Sequence, residues 1–349
     1  MKIAIFSGSP PNVHFFKNII KELSEKRHIV KVYARYRKIT QYLLKYYNIK
    51  YVLISERGTD RFGLLGELIK QIYKLVYEFK KFKPDVIFCR TLAPLCAAKL
   101  LGIRSISDDD DGPACDPMFT LIKMFKDIVI TPDCLPNFYG PSQIKYAGYK
   151  ELSYLHPNYF TPDKDKLKKY GINPDEKYFV IRLSAYDAVH DFNRKGLNRN
   201  QVKKIIELLK QHGRIFITSE AGLDKELQDY KINLPPHLIF HLMYFAHLYI
   251  GDSQTMAAEA AVLGTPSIRI SPFSKEVMFY LKELEEKYGL VYSYLPSEVE
   301  VAYNKIKYLL SDKTIKKQWA QRRKKMLSDK IDVVEWMVDL IEKIYLSKL

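Results

Sequence analysis

Four acids in a row, Asp108-Asp109-Asp110-Asp111, follow a short apolar run and precede Gly112-Pro113. Carboxylates this close repel one another, and some of their pKa values rise. One of them, with Asp109 and Asp110 as the candidates, could act as a general base while others hold acceptor hydroxyls or a divalent ion. The plainer alternative is an exposed acidic turn or a helix cap. A second polar cluster, Ser184, Tyr186, Asp187, His190, Asp191, Arg194, Lys195 and Gly196, follows the apolar run Tyr178–Leu183. Its groups can handle phosphate and protons. Arg182 and His190 stand out, against the alternative of a polar surface loop. A third set is Ser253, Gln254, Thr255 and Glu259, after Gly251-Asp252. Ser253 and Thr255 could bind phosphate or merely cap a helix, and Glu259 could hold a ribose or lie in solvent. His14 completes the candidates, as a proton acceptor, with a helix-end histidine of no chemistry as the alternative.

These residues need strands and helices to place them. Leu248–Ile250 is a buried strand, Met256–Leu263 has helical apolar and small positions, Gly264-Thr265-Pro266 stops that helix, and Ser267–Ile270 is the next strand. In a parallel sheet the strand-to-helix turn lies at the carboxyl edge, where ligands bind, and a helix start offers free N–H groups to phosphate. The same rhythm runs through the chain. Strands are predicted at Lys2–Phe6, Ile29–Tyr33, Tyr51–Ile54, Asp85–Cys89, Arg104–Ser107 and Asp127–Thr131. Others are predicted at Tyr178–Leu183, Arg214–Thr218, His237–Phe240 and Leu290–Tyr292. Helices alternate with them, the last from Ile331 to Leu346. The first turn, Ser7 to Asn12, is no GxGxxG fingerprint, so a dinucleotide site is not expected. Prolines crowd residues 132–162, and that stretch, with Tyr146–Glu151 and Tyr154–Pro157, reads as the crossing between two domains. Glu151 and His156 are further candidates there. The expected domains are 1–155 and 156–330, followed by a last helix in 331–349.

The motif Gly251-Asp252-Ser253, Glu259, Leu263-Gly264-Thr265-Pro266 and Arg269 resembles the nucleotide-binding element of UDP-N-acetylglucosamine 2-epimerases. It is also similar to that of the related two-domain (GT-B) glycosyltransferases. Pro10-Pro11-x-Val13-His14-Phe15-Phe16 and the Gly148-x-x-Glu151 and Leu155-His156-Pro157 elements resemble an uncharacterised archaeal and bacterial family of predicted glycosyltransferases. The resemblance implies an α/β GT-B-like fold, two Rossmann-like doubly wound domains facing across a cleft. It places diphosphate on Ser253 and ribose on Glu259, with Arg182, Ser184, Ser219, Gln254 and Thr255 around the nucleotide-sugar. Gln254 and Thr255 stand where the family has glycines, so the phosphate loop is shaped differently. It implies no resident cofactor and no requirement for a divalent metal, the nucleotide-sugar being the substrate.

The 349 residues suffice for two α/β domains, and 47% apolar content can build both cores. The four cysteines, Cys89, Cys96, Cys115 and Cys134, suit neither a zinc site nor a disulfide framework, so a reduced cytoplasmic setting is expected. No run is long enough to span a bilayer. The net charge of +16 points to anionic partners. Basic residues mix with aromatics around Arg35–Lys50, and lysines flank the apolar positions Leu65, Leu68, Ile69, Ile72, Val76 and Phe79. Such helices either pack on a sheet or lie peripherally on the anionic inner face of a membrane. Arg322–Lys325 is expected to be a solvated face.

The expected function is glycosyl transfer from a nucleotide-sugar, a UDP-sugar, to a sugar or lipid-linked acceptor in polysaccharide, glycan or glycolipid synthesis. A 2-epimerase is the nearest alternative. It needs several carboxylates about the sugar, and Arg90-Thr91 stands where that family has an acid. A non-catalytic nucleic-acid or membrane-binding protein is the alternative from another class. Nucleic acid is not expected, since the basic residues are spread out and form no recognised motif.

Overall fold

The computed structural model describes residues 1–55, 61–113, 119–184, 197–219 and 222–346. It separates into two compact units, Met1–Tyr154 with Ile331–Leu349, and Leu155–Lys330.

The first unit is built from β1 (Lys2–Ser7), α1 (Pro10–Glu25), β2 (Ile29–Arg35), α2 (Lys38–Tyr46), β3 (Tyr51–Ser55), α3 (Arg61–Phe82), β4 (Val86–Phe88), α4 (Leu92–Leu100), β5 (Arg104–Asp108), α5 (Phe119–Lys123), β6 (Ile128–Pro132), β7 (Gln143–Tyr146) and α6 (Leu152–Leu155). Its sheet runs β3-β2-β1-β4-β5-β6-β7, every pair parallel. The order reverses between β1 and β4, which makes their carboxyl ends the natural crevice of a doubly wound sheet. β1 and β4 read as continuous apolar runs because helices cover both faces, and Ile3, Ile5, Val86, Ile87 and Phe88 are fully buried.

The second unit follows with α7 (Lys164–Lys168), β8 (Tyr178–Leu183), α8 (Arg199–Leu209), β9 (Arg214–Ser219), α9 (Ile239–Phe245), β10 (Leu248–Gly251), α10 (Gln254–Leu263), β11 (Ser267–Ile270), α11 (Phe279–Glu286), β12 (Val291–Tyr294), α12 (Val299–Ser311) and α13 (Ile315–Asp329). Its parallel sheet runs β12-β11-β10-β8-β9, with the reversal between β8 and β10. The final helix, α14 (Val333–Leu346), belongs to the first unit, where it packs on α1. The Glu342 carboxylate accepts hydrogen bonds there from Lys26 and His28, both at 2.8 Å.

Three local expectations change. The stretch after β6 contains β7, so the proline-rich region supplies a seventh strand before the chain crosses near Tyr154. His237–Phe240 is not a strand: a 3-10 turn at Pro236–Leu238 leads straight into α9. A short apolar run does not by its pattern distinguish a buried strand from a buried helix, and Pro235-Pro236 preset the turn. Arg322 and Arg323 are half-buried, while Lys324 and Lys325 are exposed. The Arg322 guanidinium lies 4.2 Å from the centroid of the buried Trp319 ring, and Arg323 Nε donates to the Val262 carbonyl at 2.8 Å.

Among the described residues no helix is long and apolar enough to cross a membrane.

Candidate functional site

In the second unit the chemistry gathers at the carboxyl ends of β10, β8 and β9, three neighbouring strands. Gly251 closes β10 because nothing larger fits: an added Cβ would come within 2.8 Å of the Arg182 carbonyl oxygen. Asp252 is 3% exposed, and its Oδ1 accepts the Ser184 backbone N–H at 2.8 Å. That bond ties the end of β8 to the β10–α10 turn across the point where strand order reverses. Burial pushes the Asp252 carboxyl above its ordinary value, while the Ser184 hydrogen bonds and the Arg182 charge pull it back.

Ser253 is the N-cap of α10, and its Oγ accepts the Met256 N–H at 3.3 Å. The cap uses one of the helix's orphan donors and leaves the N–H groups of Gln254 and Thr255 at the helix start. Ser253, Gln254 and Thr255 are all half-buried. Gln254 Nε2 reaches Ser271 Oγ at 3.4 Å. Arg182 Nη1 lies 3.5 Å from Thr218 Oγ1, beside Ser219 at the end of β9. The structure thus brings Arg182, Ser184, Ser219, Ser253, Gln254 and Thr255 to one sheet edge. Glu259, one and a half turns into α10, is 4% exposed. It is a buried carboxylate in an otherwise alanine-rich helix, not the solvated side chain of the plainer reading. His190 lies outside the described residues, as do the other polar groups of 185–196.

The first unit holds a second polar cluster at the carboxyl ends of β4, β5 and β7. Arg90, two residues past β4, reaches all four aspartates: Asp108 at 3.3 Å, Asp109 at 3.7 Å, Asp110 at 2.8 Å and Asp111 at 2.5 Å. Lys150, just past β7, pairs with Asp110 from the other side. The acidic run is therefore no exposed turn: Asp108, Asp109 and Asp110 are 5%, 7% and 4% exposed.

Each acid has a different task. Asp109 locks the turn, accepting the N–H groups of Asp111 and Gly112 and the Tyr139 hydroxyl. Asp110 is buried, which alone would favour its neutral form, but Lys150 and Arg90 overcome this and hold it well below the carboxylate range. A firmly ionised carboxylate is a weak base, so Asp110 serves as an anchor of the two cations. Burial and the Asp110 charge push Asp111 up to about 6. Glu151, 1% exposed, is pushed up to about 7, chiefly by burial and then by Asp110, against the pull of Lys150. Asp111 and Glu151 are thus raised toward neutrality, and burial pushes Asp108 upward as well, against the pull of Arg90. Carboxylate oxygens of Asp109, Asp110 and Asp111 lie within 4.8 Å of one another. Arg90, Lys150, Tyr139 and two amides already take up the Asp109 and Asp110 oxygens, so the acids are balanced here by fixed cations.

His14 stands near the start of α1. It is 5% exposed and packs between Tyr47 and Tyr154, with ring centroids at 5.8 and 5.6 Å, and the Tyr47 hydroxyl lies 3.4 Å from its Nδ1. His156 is half-buried and accepts the Asn158 N–H at 3.2 Å. Arg90, Lys150, Tyr139 and Asp252 are the site residues that sequence reasoning passed over. Arg90, Lys150 and Asp252 each lie within a few residues of a strand's carboxyl end, and that position was the available signal for Arg90 and Asp252.

The family described as "Protein of unknown function (DUF354)" matches residues 1–342. An uncharacterised protein of Methanocaldococcus jannaschii is 23% identical over 299 residues, 81% of this chain and 85% of that one. Among solved structures, the UDP complex of MnaA from S. aureus aligns with a TM-score of 0.72 at 14% identity, over 100% of this chain and 97% of that one. UDP-GlcNAc 2-epimerase from Neisseria meningitidis, bound to UDP-GlcNAc, aligns at 0.63 and 16%, over 100% of both chains. MurG from Acinetobacter baumannii aligns at 0.59 and 15%, over 98% of this chain and 99% of that one. The likeness shows a GT-B-type α/β fold, shared with glycosyltransferases and epimerases.

Proposed function

The chain belongs to the DUF354 family, and we propose that it is a glycosyltransferase that takes a nucleotide-sugar donor, a UDP-sugar, to a sugar or lipid-linked hydroxyl in polysaccharide, glycan or glycolipid synthesis. The observation that carries this reading is the Asp252–Ser184 bond at the strand-order reversal of the second unit. It assembles Arg182, Ser184 and the start of α10 into one donor-rich edge suited to a diphosphate.

In this reading an acceptor oxygen attacks the anomeric carbon, the bond from that carbon to the diphosphate breaks, and the nucleoside diphosphate leaves with the bonding pair. Charge developing on the diphosphate meets the N–H groups of Gln254 and Thr255, the hydroxyls of Ser253 and Thr255, and Arg182. That set needs no divalent metal, because the helix dipole and the guanidinium supply the positive field. Glu259 holds the ribose. The acceptor's proton passes to a general base; among the first unit's acids, Asp111 and Glu151 suit such a role better than Asp110 because they lie nearer neutrality.

Epimerisation is disfavoured by Arg90. The epimerase reading requires an acid after β4, and here a guanidinium stands there, committed to four aspartates.

The test is thermal stabilisation of the purified protein by UDP, GDP and UDP-N-acetylglucosamine, in wild type and Glu259→Ala. A rise with one nucleotide that is lost in the variant supports the donor site. No rise with any of them would remove the sugar-nucleotide reading in favour of a binding protein. Formation of a 2-epimer from the donor without acceptor would replace transfer by epimerisation.

A further inference from the structure

The helix α3 has two apolar faces, and the structure uses only one of them. Leu68, Ile72, Leu75, Val76 and Phe79 pack into the first unit's core. The other face carries Leu65, Ile69, Tyr73 and Tyr77, which are 56%, 61%, 78% and 61% exposed. Their spacing of four residues places them in one stripe, about 18 Å long at the helical rise. Four consecutive large apolar side chains on one exposed helix face form a contiguous patch, unlike single exposed residues.

The charges on this helix are sorted. Its acids point inward and are paired: Glu67 is 6% exposed and bonded to Arg35 Nε at 2.6 Å, and Glu78 pairs with Lys31 at 2.8 Å. The lysines Lys70, Lys74, Lys80 and Lys81 are all exposed beside the stripe. Among the described residues of α3, the outer face therefore offers apolar and aromatic groups with cations and no exposed acid.

We propose that this face of α3 docks on an anionic lipid surface, with Leu65, Ile69, Tyr73 and Tyr77 entering the headgroup boundary and the lysines engaging lipid phosphates. Tyrosine suits that boundary because its ring is apolar and its hydroxyl stays hydrated. Lysine stems extend along apolar surface while the ammonium reaches an anion. A second copy of the chain is a poorer occupant, since it would bring the same α3 lysines together with no exposed acid among the helix's described residues to answer them. The inference is independent of the donor chemistry, which resides in the second unit.

The experiment is co-sedimentation of the full chain with vesicles of phosphatidylcholine alone and of phosphatidylcholine mixed with phosphatidylglycerol. Wild type should partition onto the anionic vesicles and be released by salt. Tyr73→Ser/Tyr77→Ser should weaken that partition by about tenfold. Lys70→Glu/Lys74→Glu should remove the preference for anionic lipid, each lysine being worth about fivefold near such a surface. Tyr308→Ser, at a tyrosine 61% exposed in the second unit, should bind as wild type does. Equal wild-type binding to both vesicles, or undiminished binding by both helix variants, would overturn the proposal. So would loss of a dimer in Tyr73→Ser/Tyr77→Ser without vesicle binding by wild type, which assigns the face to a second copy. All variants lie at the surface and should keep the wild-type melting temperature and any stabilisation by UDP, which separates this test from that of the donor site.

Discussion

Asp252 Oδ1 accepts the backbone N–H of Ser184 at 2.8 Å, and this one bond joins the two strand ends between which the second sheet reverses its order. Asp252→Ala leaves the Ser184 N–H without that acceptor and frees the β8 end from the α10 turn. Loss of a buried charged acceptor costs about 1–3 kcal/mol. The melting temperature should fall accordingly, and UDP affinity, read by calorimetry, should fall by about tenfold or more. Asp252→Asn, which keeps an acceptor oxygen, should recover most of the stability and part of the affinity. Equal nucleotide affinity in all three proteins would show that the bond has no part in the donor site.

Gly251 tests the same edge by crowding it. In Gly251→Ala the new Cβ meets the Arg182 carbonyl oxygen at 2.8 Å and its Cβ at 2.9 Å, so β8 and β10 must separate. Overpacking of this kind costs about 1–3 kcal/mol. Denaturant unfolding should show that loss, together with weaker UDP binding. Unchanged stability would mean that the strand ends yield freely.

Arg90 is the central cation of the first unit's cluster. Arg90→Met should destabilise by about 3–5 kcal/mol, because four neighbouring carboxylates lose their shared counter-charge. Arg90→Lys should recover only part, since an ammonium lacks the planar fork that reaches several carboxylates at once. The measurement is urea unfolding at neutral pH. A Lys variant as stable as wild type would show that charge alone, without the fork, suffices.

The pH dependence of stability has a definite sign. The folded-state carboxyls of Glu151 and Asp111 are raised to about 7 and about 6. The folded protein therefore holds protons that the unfolded chain has released. The stability they contribute is whole below about pH 4, near the unfolded carboxyl values, and is lost as pH rises through 6 and 7. Asp110 is shifted the other way, so its contribution is present above about pH 4 and lost in acid. The melting temperature should decline as pH is raised from about 5 to about 8. Glu151→Gln, neutral throughout, should flatten that decline and melt higher than wild type at the upper end. Parallel melting curves in the two proteins would count against a raised Glu151.

Much of the fold lay open in the sequence. Buried parallel strands are continuous apolar runs, and β1, β8, β10 and β11 appear in the structure within a residue or two of where their patterns end. Gly264, with φ +79, stops α10 at the residue the pattern marks, since only glycine takes that conformation freely. The second unit's edge was legible for the same reason: Ser253, Thr255 and Ser184 each follow a recognisable strand, and Arg182 lies near the end of one. β7 was not legible, because Gln143-Ile144-Lys145-Tyr146 is short, polar and set among prolines. Its pairing with β6 comes from the neighbouring strand, not from its own residues.

By itself the sequence determined two doubly wound halves, the strand ends at which polar residues collect, and the acidic run as a place of costly charge, since apolar periodicity and turn chemistry are local properties. Only the tertiary structure decided what those charges do. Arg90, Lys150 and Glu151 are far from Asp108–Asp111 along the chain, and the protonation of each acid depends on which of them stands beside it. Likewise, Leu65 and Ile69 have the same helical spacing as their buried neighbours. Which side of α3 meets the core is settled by the sheet and by α4, and it leaves Leu65, Ile69, Tyr73 and Tyr77 facing out.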